Sequence, residues 1–310
     1  MGKFGAVALS NESIVAVRIV GGLGNQLFQY STARSLADRL GSELILDCSD
    51  SRDRSVELNQ FNIRARLIGS RSEIRKTHLN LPGTLGRKIS KAVQLALPPF
   101  IRIDNHTFKQ WKEGPERQFD RRITALQGRI YLSGYWQSYR YFENDRDQIC
   151  ADLDLKRSVS STSLRWKLRI RQSNSVCLHV RRGDYLLREA EFGQCKLPYY
   201  QNAMALLRSR TNRPTFFVFS DDLAWCRANF KLDDVVFVDC HTPEQVTDEL
   251  DLMRSCRHHI IANSTLSWWS AWLATVSDQI VVAPQPWFTS GGPSYNDIIL
   301  KEWIRLPRDV

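Results

Sequence analysis

The chain has 310 residues, of which 43% are apolar and 10% aromatic, and its formal net charge is +10. This composition excludes an extensively disordered protein, and the length predicts two domains of ordinary size, each with its own core. The positive charge favours anionic partners, namely nucleotide phosphates, nucleic acid or an acidic membrane surface.

The seven cysteines are scattered singly, without a C-x-x-C pair. This spacing predicts reduced thiols in a cytoplasmic protein and gives no support for a disulfide framework or a zinc site. Residues 1–12 lack the basic and then apolar order of a signal peptide, and no window has the roughly 20 apolar residues that a spanning helix needs. We therefore expect a chain that is neither exported nor anchored.

The N-terminal half opens with a predicted β-loop-α-β unit. Ile14–Val20 is typical of a buried strand, Gly21–Gly24 follows directly, residues 25–40 have one apolar helical face, and Glu43–Asp47 predicts a second strand. Such a glycine-rich turn presents backbone N–H groups and a helix N-terminus to an anion. A dinucleotide-binding dehydrogenase is the alternative, but Leu27 stands where the third glycine of G-x-G-x-x-G is required.

Residues 52–91 are strongly basic, with ten Arg or Lys against three acids, and predict either a solvated charged face or a nucleic-acid contact. An apolar stripe at helical spacing lies at residues 85–97 and ends before Pro98. The stripe favours a core helix, and a helix lying on an acidic membrane surface is the alternative.

Two short segments of this half invite functional interpretations. Arg129–Ser133 predicts a strand, and the aromatic residues of Gly134–Phe142 after it could stack on sugar rings or simply pack a surface loop. Asp152-Leu153-Asp154 spells the D-x-D pattern of metal-dependent transferases. It has no companion motif, so we interpret it as a solvated loop or a helix cap.

Arg157–Ser163 is small and polar and predicts an interdomain connection, which divides the chain into domains 13–157 and 158–310. Strands and helices then alternate, which predicts a second parallel α/β sheet. The predicted strands are 176–180, 215–219, 235–239, 259–262 and 279–283, and the predicted helices are 197–208, 223–230, 242–253 and 266–273.

Three motifs follow strands of this second sheet, where open parallel sheets bind ligands. In the first, Cys177, His179 and Arg181 share one strand face, and Arg181 can hold a diphosphate bidentately. In the second, an acid such as Asp222 can accept hydrogen bonds from a purine. In the third, Ala262–Ser267 brings hydroxyls and free N–H groups to a helix N-terminus, which suits phosphate. The alternatives are helix caps and a structural ion pair.

The sequences His179–Tyr185, Gly21–Tyr30 and Ile260–Trp269 resemble the α-1,2-fucosyltransferases of glycosyltransferase family 11, and the similarity runs from about Val15 to Phe288. The resemblance implies a GT-B fold, with two Rossmann-like parallel-sheet domains facing across a cleft. It also implies inverting transfer of L-fucose from GDP-fucose to the 2-hydroxyl of a terminal galactoside, with no metal and no cofactor besides the donor substrate.

The resemblance further implies roles for particular residues. Arg181, with Arg182 beside it, would bind the diphosphate and stabilise the leaving charge, and Asp221 or Asp222 would contact guanine. The phosphates would be surrounded by Asn263, Ser264, Thr265 and Ser267, and a loop of the other domain would approach them with Gly22, Gly24, Asn25 and Gln26. The candidate bases are Glu189, Asp184 and His179. Glu189 is preferred because related fucosyltransferases have an acid ten residues after the histidine.

Animal members of the family carry an N-terminal membrane anchor, which residues 1–12 do not resemble. We therefore expect a bacterial type of enzyme that acts in the cytoplasm on precursors of lipopolysaccharide O-antigen. A lipid-linked, galactose-terminated acceptor and a peripheral contact with the anionic inner membrane are hypotheses. The other functions left open are a noncatalytic nucleotide- or sugar-binding protein, a fucosyltransferase of different linkage and, from composition alone, a nucleic-acid-binding protein.

Overall fold

A computed structural model describes residues 13–50, 55–69, 74–77, 100–103, 106–183, 185, 193–240, 245–289 and 297–309. The apolar stripe at residues 85–97, the predicted helix start at 242–244 and the candidate bases Asp184 and Glu189 lie outside these ranges. Within them, no helix is both long enough and apolar enough to cross a bilayer. The seven cysteines all lie in the described ranges, and none of them forms a disulfide there.

The first sheet has seven strands in the order β3-β2-β1-β7-β6-β5-β4. The strand β5 runs antiparallel to both its neighbours, and every other pair is parallel. Three of these strands match the predicted ones, although β1 is two residues shorter. The strands are β1 (Ile14–Arg18), β2 (Glu43–Asp47), β3 (Arg66–Ile68), β4 (Ile74–Thr77), β5 (Phe100–Ile103), β6 (His106–Lys112) and β7 (Arg129–Ser133).

The second sheet has six strands, all parallel, in the order β10-β9-β8-β11-β12-β13. This is the order of the Rossmann fold, and the prediction of a second parallel sheet is confirmed. Only the last strand was missed, because it has just four residues and ends in proline. The strands are β8 (Ser175–Val180), β9 (Thr215–Ser220), β10 (Val235–Phe237), β11 (His258–Ile260), β12 (Val281–Gln285) and β13 (Ile304–Pro307).

Seven α-helices lie in the described ranges, and two of them, Arg146–Asp152 and Ser161–Arg171, were not predicted. Ser160 caps the third helix by accepting a hydrogen bond from the N–H of Ser163 at 3.0 Å. The predicted connection Arg157–Ser163 was therefore too long, while the domain boundary at 157 stays a prediction. The helices are α1 (Leu23–Leu40), α2 (Arg146–Asp152), α3 (Ser161–Arg171), α4 (Leu197–Arg210), α5 (Leu223–Asn229), α6 (Val246–Met253) and α7 (Thr265–Trp272).

Strand β8 places its side chains alternately on two cores, as its sequence predicts. Val176 and Leu178 pack with Tyr199 and other residues of α4, whereas Cys177 packs with Ile170 of α3 and with residues of α6. His179 and Arg181 follow Cys177 on the side of α3 and α6. The alternation of β8 is confirmed at residues 176–178, and the shared face of His179 and Arg181 is its continuation.

One apolar core connects the two sheets through α1 and α7. The Phe28 ring lies 4.5 Å from the Trp268 ring and 5.1 Å from the Trp269 ring. These three side chains are fully buried and belong to the same cluster as the core of the first sheet. The relative position of the sheets is therefore fixed by close packing.

The strand order of the two sheets determines where the cleft between them lies. In the first sheet the chain order reverses between β1 and β7, and in the second it reverses between β8 and β11. Loops on the two sides of such a reversal leave in opposite directions and open a crevice at the carboxyl ends of the strands. The packing of α1 on α7 makes the two crevices face each other.

Candidate active site

A cavity of about 340 Å³ occupies this cleft and is lined by loops from both sheets. The first sheet contributes the loop after β1 together with side chains that follow β6 and β7. The second contributes residues that follow β8 and β11. The residues with predicted functional roles that line it are Gly22, Gly24, Asn25, Arg181, Asn263, Ser264 and Thr265. The other lining residues are Gly21, Leu23, Arg117, Tyr135, Gln137, Tyr185, Val246, Leu266, Trp287 and Phe288.

The glycine-rich loop is fixed against the start of α7. Gly21 has a left-handed backbone with φ of 81°, which favours glycine. A Cβ on Gly24 would lie 2.5 Å from the backbone N of Leu266, so only glycine fits there. The indole N–H of Trp269 also donates a hydrogen bond to the Gly24 carbonyl at 3.0 Å. The loop therefore joins the two halves of the cleft.

Asn25 and Gln26 have different positions. Asn25 lines the cavity and accepts a hydrogen bond from Gln137 Nε2 at 2.8 Å. Gln26 is buried, and its amide donates to the carbonyls of Gly21 at 2.9 Å and Ser55 at 2.8 Å. Its Oε1 also accepts the N–H of Glu57. Gln26 thus shapes the loop from behind and is not part of the cavity wall.

Arg181 lies in the cavity wall and is held by Asp221. Its Nη1 lies 3.1 Å from Asp221 Oδ2, and the same carboxylate accepts the backbone N–H groups of Arg182 at 2.9 Å and Gly183 at 3.1 Å. The turn after β8 and the guanidinium are therefore positioned by one acid. Three such charge-assisted bonds are strong compared with neutral ones.

Arg182 and Asp222 stabilise the neighbouring structure. Arg182 Nε lies 3.1 Å from Asp222 Oδ2, and its guanidinium carbon lies 4.3 Å from the centre of the Trp225 ring. Asp222 caps α5 by accepting the N–H of Trp225 at 3.0 Å, which confirms the capping alternative. The expected contact of Asp221 or Asp222 with guanine stays a prediction.

His179 is buried next to this ion pair. Burial and the nearby Arg181 lower the pKa of its imidazole to about 4, although Asp221 opposes the change. The ring is therefore neutral at neutral pH. Its Nδ1 is buried and has no hydrogen-bond partner in the described part of the chain. His179 is 3% exposed and is not among the residues that line the cavity.

The start of α7 is open to the cavity at Ser264 and Thr265. Ser264 occupies the N-cap position, but its side chain forms no capping hydrogen bond. The helix therefore keeps unsatisfied N–H groups, which can bind an anion. Ser267 has a different role, because its buried hydroxyl accepts the N–H of Ala262 at 3.1 Å. Asn263 holds the loop, since its Nδ2 donates to the carbonyls of Gly193 and Trp287 at 3.1 Å each.

Glu249 on α6 was missed by the sequence analysis. It lies one turn after Val246, which lines the cavity, and is half-buried. It makes no hydrogen bond or ion pair with any described residue. Burial raises the pKa of its carboxyl to about 7, while the nearby Arg181 lowers it. The signal that could have found it is an acid within the apolar stripe of a predicted helix.

The interpretation of Asp152 as a solvated loop or cap residue was wrong. Asp152 is 2% exposed and accepts hydrogen bonds from Tyr30 at 2.7 Å, Arg34 at 2.9 Å and Gln148 at 2.8 Å. It joins α2 to α1 through a buried polar network. The described residues include no group of three His, Cys, Asp or Glu placed to hold a metal ion.

Comparison with known proteins identifies the family. The family model described as "Glycosyl transferase family 11" matches residues 14–307. The chain belongs to this family. The relatives most similar to it include an alpha-1,2-colitosyltransferase of Escherichia coli, which is 30% identical over 96% of this chain and 100% of the relative. The O-antigen biosynthesis glycosyltransferase WbnK of Escherichia coli is 31% identical over 92% and 98%.

An animal relative and a solved structure extend these similarities. The galactoside 2-alpha-L-fucosyltransferase SEC1 of Bos taurus is 32% identical over 97% of this family 11 chain and 76% of its own length. The crystal structure of NodZ alpha-1,6-fucosyltransferase from Bradyrhizobium, soaked with GDP-fucose, matches with a TM-score of 0.50 and 15% identity over 87% and 95% of the two chains. The fold is therefore of the GT-B type, with two parallel-sheet α/β domains, as predicted.

Proposed function

We propose that this family 11 glycosyltransferase moves L-fucose from GDP-fucose to the 2-hydroxyl of a terminal galactoside, with inversion at the anomeric carbon. The observation that carries the proposal is the pairing, in one cavity wall, of Arg181 with the open N-terminus of α7. A fixed guanidinium and free backbone N–H groups suit a nucleoside diphosphate.

The chemistry follows from where negative charge develops. As the bond between the sugar and the phosphate breaks, GDP gains charge on its terminal phosphate, and donors that are already oriented stabilise that charge without reorganising. Asp221 orients Arg181 for this task. We propose that the arginine and the α7 N-terminus suffice, so that turnover needs neither a metal ion nor another cofactor. Turnover that stops in EDTA and returns with a divalent cation would contradict this part.

An inverting displacement also needs a base for the acceptor hydroxyl. His179 is a weak candidate, because it is 3% exposed and is not among the residues that line the cavity. We therefore retain the carboxylates Glu189 and Asp184, with Glu189 preferred. Glu189→Gln is expected to lower turnover by at least about 100-fold while GDP affinity is unchanged. Near-normal turnover would exclude Glu189.

The donor sugar needs its own test, because a relative named for colitose transfer matches the whole chain. Colitose is fucose without the 3-hydroxyl. A site built to hydrogen-bond that hydroxyl discriminates strongly against the deoxy sugar. We expect the kcat/KM for GDP-fucose to be higher than that for GDP-colitose. The opposite preference would reassign the donor.

The decisive experiment measures GDP release by the purified protein with GDP-fucose and a panel of terminal galactosides, followed by linkage analysis of the product. An α-1,2-linked product supports the proposal, and another linkage would make the chain a fucosyltransferase of different specificity. GDP binding without release on any acceptor would indicate a noncatalytic nucleotide- or sugar-binding protein.

We further propose that the acceptor is lipid-linked and that α3 lies on the anionic inner membrane. Leu164 and Leu168, one turn apart on α3, are 50% and 51% exposed. The helix carries four basic side chains and no acid. An apolar strip flanked by cations fits an anionic lipid surface.

Flotation with phosphatidylglycerol vesicles tests this contact. We expect the protein to float with them, and the double variant L164S/L168S to lose flotation. Leu232, which is 48% exposed on another part of the second sheet's domain, supplies the control variant L232S. Failure of the wild-type chain to float with anionic vesicles would refute the membrane contact and leave the transferase proposal intact.

A further inference from the structure

The wall of the cavity opposite Arg181 is formed by the first sheet. Arg117 follows β6, and Tyr135 and Gln137 follow β7. Both strands end at the crevice where this sheet reverses its order. None of the three residues had a predicted role, apart from the expectation that the aromatic segment Gly134–Phe142 could contact sugar.

Most aromatic side chains of that segment are structural. Trp136, Tyr139, Tyr141 and Phe142 are buried, and the Trp136 ring lies edge-on to Tyr141 at 5.7 Å. Tyr135 is half-buried and lines the cavity. Of the aromatic side chains in Gly134–Phe142, Tyr135 is therefore the candidate for contact with a sugar ring.

The backbone around these residues is strained. Arg117 has φ of 47° and Trp136 has φ of 56°, a left-handed region that bulky side chains rarely adopt. Such conformations persist only where the surroundings impose them, and they concentrate at ligand sites. Here the buried indole of Trp136 lies between two residues that line the cavity, Tyr135 and Gln137.

Glu113 imposes this conformation. Its carboxylate accepts the backbone N–H groups of Tyr135 at 2.7 Å and Trp136 at 2.8 Å, and Arg117 lies close enough to lower its pKa. Burial nevertheless raises the pKa of the carboxyl overall. A Cβ on Gly134 would overlap Glu113, so the loop packs directly on this acid. Glu113 is thus a positioning residue for both halves of the wall.

The wall keeps hydrogen-bonding groups that the fold does not use. Gln137 is 5% exposed, and its Oε1 has no hydrogen-bond partner in the part of the chain that is described, while its Nε2 is bound to Asn25. The Tyr135 hydroxyl likewise forms no hydrogen bond with a described residue. The Arg117 guanidinium carbon lies 4.7 Å from the centre of the Tyr135 ring.

We propose that Arg117, Tyr135 and Gln137 form the acceptor subsite and bind the terminal sugar ring of the glycan. The inference deepens the proposed function and rests on it. An aromatic ring in the cavity wall with planar polar groups beside it suits a neutral sugar, whose ring has an apolar face and a rim of hydroxyls. The diphosphate is better served by the opposite wall, because Arg181 lies there beside the open N-terminus of α7.

The kinetic test compares Y135A and R117A with R213A. Arg213 is an exposed arginine with φ of 48°, outside the residues that line the cavity, so R213A matches R117A in lost charge and backbone strain. We expect Y135A and R117A to raise the KM for a galactoside acceptor at least about 10-fold, a loss of about 1.4 kcal/mol in binding. The KM for the GDP-sugar and the Kd for GDP should change less than about twofold.

Glu113 is tested by rescue. E113A should raise the acceptor KM with an unchanged Kd for GDP, and E113Q, which keeps one acceptor oxygen for the loop N–H groups, should recover part of the loss. Thermal melting of each variant identifies any that fail to fold. An unchanged acceptor KM in folded Y135A and R117A would overturn the inference.

A binding measurement separates this inference from the proposed function. Saturation-transfer NMR of methyl β-D-galactoside with GDP-loaded protein should give a signal for the wild type and R213A, and none for Y135A. Equal signals in the wild type and Y135A, or no signal in the wild type, would overturn the subsite. GDP release that fails with every acceptor while this signal persists would contradict the transferase and not the sugar site.

Discussion

Gly24 lies at the start of α1 and Thr265 at the start of α7, and a Cβ on Gly24 would lie 2.5 Å from Thr265 Oγ1. The loop that resembles a phosphate-binding turn in the sequence is thus also a point of close contact between the two halves of the cleft. The next residue of the loop, Asn25, accepts a hydrogen bond from Gln137 on the same cavity wall. Close contact between the halves, and not only anion binding, explains the glycine.

Gly24→Ala is expected to destabilise the protein by about 2 kcal/mol, because the added methyl group overlaps backbone atoms of α7 that cannot move freely. Thermal melting should show a Tm lower by roughly 4 °C or more. Gly22→Ala is the matched control from the same loop, since a Cβ there would meet nothing within 4 Å. Equal Tm values for the two variants would contradict the role of Gly24 in the interdomain contact.

Asp221→Asn should weaken GDP binding about 10-fold. The aspartate uses both carboxylate oxygens to accept from Arg181, Arg182 and Gly183, whereas an asparagine amide has one oxygen that accepts. Asp222→Asn should have a small effect, since asparagine caps helices about as well as aspartate. Titration calorimetry with GDP measures both. A comparable loss in Asp222→Asn would instead support a direct contact between Asp222 and guanine.

Glu249 predicts a pH dependence of stability. Burial raises its pKa from 4.5 to about 7, so between these values the folded state binds more protons than the unfolded state. The free energy of unfolding therefore falls as the pH rises through this window. Glu249→Gln has no carboxyl to ionise in this window. The free energy of unfolding of the variant minus that of the wild type should therefore be larger at pH 8 than at pH 5. Urea unfolding at the two pH values checks this, and a difference independent of pH would refute it.

The two acids of the D-x-D sequence differ in exposure, because Asp152 is buried and Asp154 is exposed. Asp152→Asn removes the charge that Tyr30 and Arg34 contact and should cost about 3 kcal/mol. Asp154 is 60% exposed and pairs with Arg254 at 2.9 Å, so Asp154→Asn should cost less than about 1 kcal/mol. Urea unfolding measures both values. If instead the variants lost turnover that added divalent cations restored, a metal-binding role would replace the structural one.

The positions of several site residues follow from local sequence, and their roles do not. The apolar alternation of β8 placed His179 and Arg181 on one face, and the start of α7 brought Ser264 and Thr265 to a helix N-terminus. The same local rules could not separate Gln26 and Ser267, which support the site from behind, from Asn25 and Thr265, which line it. Burial of a polar side chain depends on elements that are distant in the chain.

The sequence by itself determined the family, the alternation that builds two parallel sheets, and the motif residues at the ends of β1, β8 and β11. These features are encoded by short-range periodicity, by glycine at left-handed or crowded positions, and by motifs of adjacent residues. The tertiary structure alone decided that Asp221 positions Arg181 and that Glu249 lies close enough to both for their charges to affect its pKa. It alone also decided that Glu113 and Tyr135 build the cavity wall opposite Arg181. The residues of these pairs are 22 to 68 positions apart in the chain. Only the packing of the two sheets through α1 and α7 brings the strand ends that carry them to one cleft.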